Sequence, residues 1–175
     1  MCAVIIADAE NWLPLEGPAG TLYWRASLRG QEPIGIPDGG ERLEEWIRRQ
    51  VGNWAAAFVT EDTAYLMTDQ ARSFPIHIAL GSPTVVSSSI EAMRAHIPFV
   101  RNEHAAQEFL HSGYVLGADM LVDGVTSLPT STLAVVRGGT ISQKQYVNFY
   151  PEHSADSSSF WRAVKEELLR TYALS

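Results

Sequence analysis

The chain has one cysteine, Cys2, in 175 residues. No internal disulfide can form, and a reducing, cytoplasmic compartment is the expectation. Basic side chains are scarce, 13 against 20 acidic ones, for a formal charge of −7. Phosphate backbones and anionic membrane surfaces would be repelled, so neither nucleic acid nor a membrane is an expected partner. Long apolar runs are missing: nothing approaches the roughly 20 residues a helix needs to span a bilayer. No basic segment precedes the short run AVIIA, and Asp8 follows it directly, so no secretory signal is read here. There is no Walker loop, Rossmann fingerprint, G-x-S-x-G elbow or internal repeat. The histidines His77, His96, His104, His111 and His153 show no H-x-x-x-H or H-E-x-x-H spacing. His104 and His111 could share a helix face, but no acid or cysteine clearly joins them, and no metal is expected.

What remains is an ordinary globular mixture, 46% apolar and 19% charged, enough to bury a core. AVIIA (3–7) is an apolar run of strand length, residues 8–20 with Pro14, Gly17, Pro18 and Gly20 read as loop, and TLYWRASL (21–28) as strand. Leu43, Trp46, Ile47 and Val51 fall at helical spacing after Asp38, a candidate cap, and before Gly52. Strands are predicted at 54–60, 63–69, 75–80 and 84–89, with hairpin turns at Glu61-Asp62 and Gly81-Ser82-Pro83. Helices are predicted at 90–96 and 105–113, and a last hairpin joins 132–137 to 141–149 through Gly138-Gly139. The tryptophans are read as core or interface residues. SADSSS (154–159) is a polar linker, and 160–174 is the most helical segment, with Phe160, Val164, Leu168 and Tyr172 on one stripe. That helix would pack against this domain or another one, and a homodimer is a further option. Meandering strands with a few helices suit an α+β layered sandwich, two sheets facing each other beneath helices.

Position 2 has two readings. Removal of Met1 would give Cys2 a free α-amine, placing a thiol nucleophile beside its own base, whose reference pKa is roughly 7.7–8.0. The other reading is a small buried residue of the first strand.

From about Asn53 to Pro151 the chain resembles the second half of the glutaminase domain of asparagine synthetases, an Ntn-hydrolase fold of the class II glutamine amidotransferases. GNWAAAFVTEDTAYLMTDQARSFPIHIA (52–79) resembles the family segment "GDFAFALYD" and its sequel, with Asp69 and Pro75 in register. VSSSIEAM (86–93) resembles "FASEIKAL", with Ser89 where the family has glutamate. In 105–136, Tyr114, Gly117, Leu121, Gly124, Leu128 and Pro129 match "GYVPGxxTLFxGIxxLPPGH". KQYVNFYPE (144–152) resembles the closing "xxYWxP".

The resemblance implies a four-layer αββα sandwich of two antiparallel sheets. It places residue 2 at the end of a central strand. It divides the chain into a glutaminase-like domain over 1–153 and a linker and helix over 154–175 that lead into an ATP-dependent synthetase domain or subunit. It makes Cys2 the catalytic nucleophile and glutamine the substrate of an active form, with no cofactor in this part. The departures are concentrated early. MCAV replaces "MCGI", "HRGPD" is missing, and the stretch between Cys2 and Asn53 is several dozen residues shorter than in the family. Arg29-Gly30 stand roughly where the family's oxyanion-hole Asn-Gly would fall, and Asp38 or Glu41 roughly where its substrate-binding acid lies. The synthetase loop "SGGxDS" is also missing, so no ATP site of that kind is expected in this chain. Three readings follow: an active ammonia-releasing domain, a scaffold that has lost hydrolysis (as in enzymes resembling β-lactam synthetase and lasso-peptide cyclases), or an unrelated binding module.

Overall fold

In a computed structural model of the chain, the described residues are 4–27, 31–38, 43–147, 161, 162, 164–166 and 169. Those up to residue 147 form ten strands, three α-helices and a short 3-10 turn at Ala9–Asn11. The strands are β1 (Val4–Ile6), β2 (Leu13–Gly17), β3 (Gly20–Ala26), β4 (Trp54–Val59), β5 (Ala64–Thr68), β6 (His77–Ala79), β7 (Thr84–Ser87), β8 (Val125–Ser127), β9 (Thr132–Arg137) and β10 (Thr140–Gln145). The helices are α1 (Leu43–Arg49), α2 (Ile90–Met93) and α3 (Glu103–Ser112).

Two sheets result. One has six strands in the order β10-β9-β5-β4-β3-β2, all antiparallel. The other has four in the order β1-β7-β6-β8. Strict alternation along β4 explains how they stack. Ala55 and Ala57 belong to a cluster shared with Ile76, Ile78 and Val86 of the smaller sheet's region, whereas Trp54, Ala56 and Phe58 belong to a second cluster with Leu43, Trp46 and Ile47 of α1. Ala64, Leu66, Ala134 and Val136 continue the first pattern on β5 and β9. Every one of these positions is buried, so β4 reads as a continuous apolar run although it is built with period two.

On the helix side, Trp24 and Trp54 stack with ring centroids 5.2 Å apart, and Trp46 of α1 meets both edge-on at 6.1 and 6.3 Å. Such aromatic pairs add about 0.5–1.5 kcal/mol each beyond burial. The outer face of the smaller sheet is covered by a third cluster, in which Ala79, Val85 and Val125 meet Met93 of α2 and Val122. Helix α3 ends at Gly113 (φ 80°) as expected but starts two residues before the predicted 105, where the Asn102 side chain caps it by accepting from Ala105 N at 3.1 Å.

The hairpins β4–β5, β6–β7 and β9–β10 form as their turn residues foretold. Gly138 and Gly139 both have positive φ (56° and 76°), the requirement of a two-residue turn matched to strand twist. Four expectations are corrected. The loop read at 8–20 contains β2, an edge strand that tolerates Pro14 because an edge residue need not donate to a ladder. Strand β8 was not foreseen; three residues are too few to show a period. The smaller sheet is not wholly antiparallel, because β1 runs parallel to β7, pairing Val4 with Thr84 and Ile6 with Val86. And β1 lies at the edge of its sheet among the described residues, not in the centre. The closing segment is helical at residues 161, 162, 164–166 and 169, with Trp161 and Leu169 exposed; the linker 154–159 lies outside the described residues.

Gly20 closes the β2–β3 hairpin against the last residue of β4. A Cβ there would stand 2.2 Å from the Val59 carbonyl oxygen, which is backbone and cannot step aside. Gly20→Ala is therefore expected to lower stability by about 2–3 kcal/mol in chemical denaturation, and a loss below about 0.5 kcal/mol would show that this sheet edge yields freely.

Candidate functional site

Of the residues singled out in the sequence, Cys2, Arg29, Gly30 and Glu41 lie outside the described residues. Asp38 is described and exposed. It lines a groove of about 550 Å³ with Ile36, Pro37, Glu45, Trp46, Arg48 and Arg49. Trp46 belongs to the cluster on the α1 side of the six-stranded sheet. Asp38 thus sits on the helix-covered side, not between the sheets. Among the described residues, no group of three or more histidine, cysteine or acidic side chains is placed to hold a metal, and no helix is long and apolar enough to cross a membrane.

The polar chemistry of the smaller sheet gathers at one end. Strands β1, β7 and β8 finish there and β6 begins there. Ser127, His77 and Ser87 stand opposite one another in register, with Asp8 just beyond β1. Asp8 is fully buried. Its carboxylate accepts from the Trp12 indole Nε1 at 3.0 Å, from Ser87 Oγ at 2.9 Å, from the Ser88 backbone N–H at 3.2 Å, and from the Ser88 hydroxyl. Arg25 of β3 reaches across from the larger sheet. Its Nη1 lies 3.5 Å from Asp8 Oδ2 and donates to the Ser88 hydroxyl, and its guanidinium sits 4.9 Å from the centre of the Phe74 ring. Burial alone pushes the Asp8 carboxyl up; donation from Ser88, Trp12 and Ser87 outweighs it and holds the group below its ordinary value. The arrangement joins the two sheets through one buried, charged knot.

His77 is nearly buried, and its Nδ1, like Ser127 Oγ, has no hydrogen-bond partner among the described residues. Burial, and then the charge of Arg72, holds the imidazole below its ordinary value, against the pull of Asp8. A second knot anchors the segment before β6. Asp69 accepts from the backbone N–H groups of Trp54 (2.7 Å), Ala71 (2.8 Å) and Ser73 (3.0 Å), and Tyr146 donates its hydroxyl to the Thr68 carbonyl at 2.7 Å. The residue matched to the family aspartate thus shapes a turn; in this geometry it binds backbone. Asp8, Arg25 and His77 were not singled out as functional, although each is a polar side chain inside or beside an otherwise apolar strand, which is the signal that could have found them.

No family profile matches the chain, and no curated protein does. Solved structures do. One is the glutamine phosphoribosylpyrophosphate amidotransferase of B. subtilis, complexed with ADP and GMP, which aligns at a TM-score of 0.40 and 15% identity. The alignment covers 79% of this chain and 32% of that one, so this chain spans about a third of that protein. A likeness of this size assigns neither family nor activity to the chain.

Removing one partner of a buried, hydrogen-bonded ion pair typically costs about 3–5 kcal/mol, because the other charge and its donors are stranded. With Arg25 partly exposed, Asp8→Ala should fall near the lower end, about 3 kcal/mol by urea denaturation; a loss under about 1 kcal/mol would mean the knot is not holding the sheets together. The pH dependence has two stages. His77 has a lowered folded value, so its contribution is complete above 6.5 and is lost as pH falls below it. Asp8, also lowered, contributes above 3.8 and loses that contribution at more acid pH. Melting temperature should therefore decline first below 6.5 and again below 3.8. His77→Gln should flatten the first stage only, and an unchanged profile in that variant would refute the assignment.

Proposed function

We propose that this chain is the glutaminase-like, Ntn-type domain of an asparagine synthetase-like, ATP-dependent amide-forming enzyme, in a form whose glutamine hydrolysis is degraded or lost. On this reading 1–153 is that domain, 154–175 leads toward the synthetase domain or subunit, and the enzyme works in the cytoplasm. The spaced matches between Asn53 and Pro151 support the family. The succession of α1, the six-stranded sheet, the four-stranded sheet and α2 supports a four-layer αββα arrangement.

The observation that carries the loss of hydrolysis is the engagement of Arg25. A site for free glutamine needs a cation open to the substrate carboxylate. Arg25, on the strand face that meets the smaller sheet, is bound to Asp8 and Ser88 and packed on Phe74. With "HRGPD" also missing and Arg29 standing roughly where the family's oxyanion-hole asparagine would fall, both substrate-holding and oxyanion-stabilising groups are depleted. One lost oxyanion donor already costs about 2.7–4 kcal/mol of transition-state stabilisation, a hundredfold or more in rate. In the active alternative, the Cys2 thiolate attacks the side-chain amide carbon of glutamine. The α-amine of Cys2 passes the thiol proton to the departing ammonia, and water then hydrolyses the thioester.

The test is ammonia release from glutamine, with intact-mass analysis after treatment with diazo-oxo-norleucine. The expected result is no release above the protein-free rate and no stoichiometric adduct, with partner ligation unchanged by Cys2→Ala. One adduct per chain, lost together with ammonia release in Cys2→Ala, would establish the active alternative.

A further inference from the structure

We infer that the groove beside α1 is a binding site for a small zwitterionic ligand of the α-amino acid class. It lies on the helix-covered side of the six-stranded sheet and is independent of the reading above. Its volume, about 550 Å³, falls in the roughly 300–1,000 Å³ range of small-molecule sites. Its described lining residues combine an apolar floor, Ile36, Pro37 and Trp46, with two acids, Asp38 and Glu45, and two arginines, Arg48 and Arg49.

These charges are not satisfied by one another. Glu45 and Arg49 are four apart on α1, the spacing at which a helix pairs opposite charges. Yet none of the four makes an ion pair with a described residue. Equal numbers of both signs among the described lining residues disfavour a simple anion, which would face Asp38 and Glu45, and a simple cation, which would face the arginines. A dipolar ligand meets both, its carboxylate on the guanidinium groups and its ammonium on the carboxylates. The apolar floor is suited to an aliphatic side chain.

The groove is also built in advance. Gln50 ties its loop wall to the helix, accepting from Ile34 N at 2.8 Å and donating to Trp46 O at 2.9 Å. The Trp46 indole donates to Gly35 O at 2.9 Å. A wall held this way loses little conformational freedom when a ligand enters.

The test is titration of the full chain with L-leucine, leucinamide and isocaproate, followed by the Trp46 indole N–H signal in NMR. Leucine should give a saturable shift. Leucinamide, lacking the carboxylate, and isocaproate, lacking the ammonium, should each bind at least about tenfold more weakly. The double variant Arg48→Ala, Arg49→Ala should abolish the leucine response, and Asp38→Asn should weaken it while leaving isocaproate unaffected. All three positions are exposed, so folding should survive, and an unchanged amide spectrum elsewhere checks that. No saturable shift up to about 10 mM leucine, equal response to all three compounds, or binding untouched by the arginine variant would each overturn the assignment.

Discussion

The small side chains on one face of the six-stranded sheet set the terms for everything else. Ala55, Ala57, Ala64 and Ala134 leave that face shallow, and the branched residues Ile76, Ile78 and Val86 fill the space opposite. Sheets pack face to face at about 10 Å when side chains interdigitate. A larger residue at any of these alanines would have to be accommodated by moving a whole sheet, because interiors are close-packed. The same stacking brings Arg25 of one sheet within reach of Asp8 beside the other, so this ion pair, buried at its Asp8 end, is a product of the apolar core and then a pin for its register.

The two faces of β4 carry unlike chemistry. The alanine face admits a second sheet, whereas the Trp54 and Phe58 face admits a helix. Aromatic side chains there make a surface deep enough for α1 to seat Trp46. The seven described residues of α1 would not hold a helix by themselves, and docking through Trp46 supplies the packing that a short helical segment needs. The strap through Gln50 and the indole of Trp46 then gives the preceding loop a fixed course, which is how an irregular segment comes to form one wall of a groove.

Much of this architecture could be read from local sequence. Hairpins were legible where two strong runs flank a turn of fixed chemistry, as at Gly138-Gly139. Helix α3 was legible because Gly113 ends it. What escaped was non-local or too brief. The parallel pairing of β1 with β7 joins residues eighty positions apart and leaves no local mark. β8 is short, and β2 is rich in the residues that announce loops. The site was less legible than the fold. Four of the residues that the family resemblance singled out lie outside the described residues, and Asp38 is placed on the helix side of the sheet. Asp8, Arg25 and His77 were legible only as charges in apolar company. Which of them would meet depended on the stacking of two sheets, and that no local pattern encodes.

The three clustered indoles have an optical consequence. Trp24 and Trp54 lie parallel within 18°, and Trp46 stands at 81° and 73° to them, all at contact distance. Transition dipoles so close and so fixed share their excitation, and Trp46 drops out of that coupling once α1 lifts away, leaving the Trp24–Trp54 pair on the sheet. The chain therefore carries its own chromophore for the seating of its helix. Because Trp46 also floors the groove, the same signal connects the interior of the molecule to whatever touches that part of its surface.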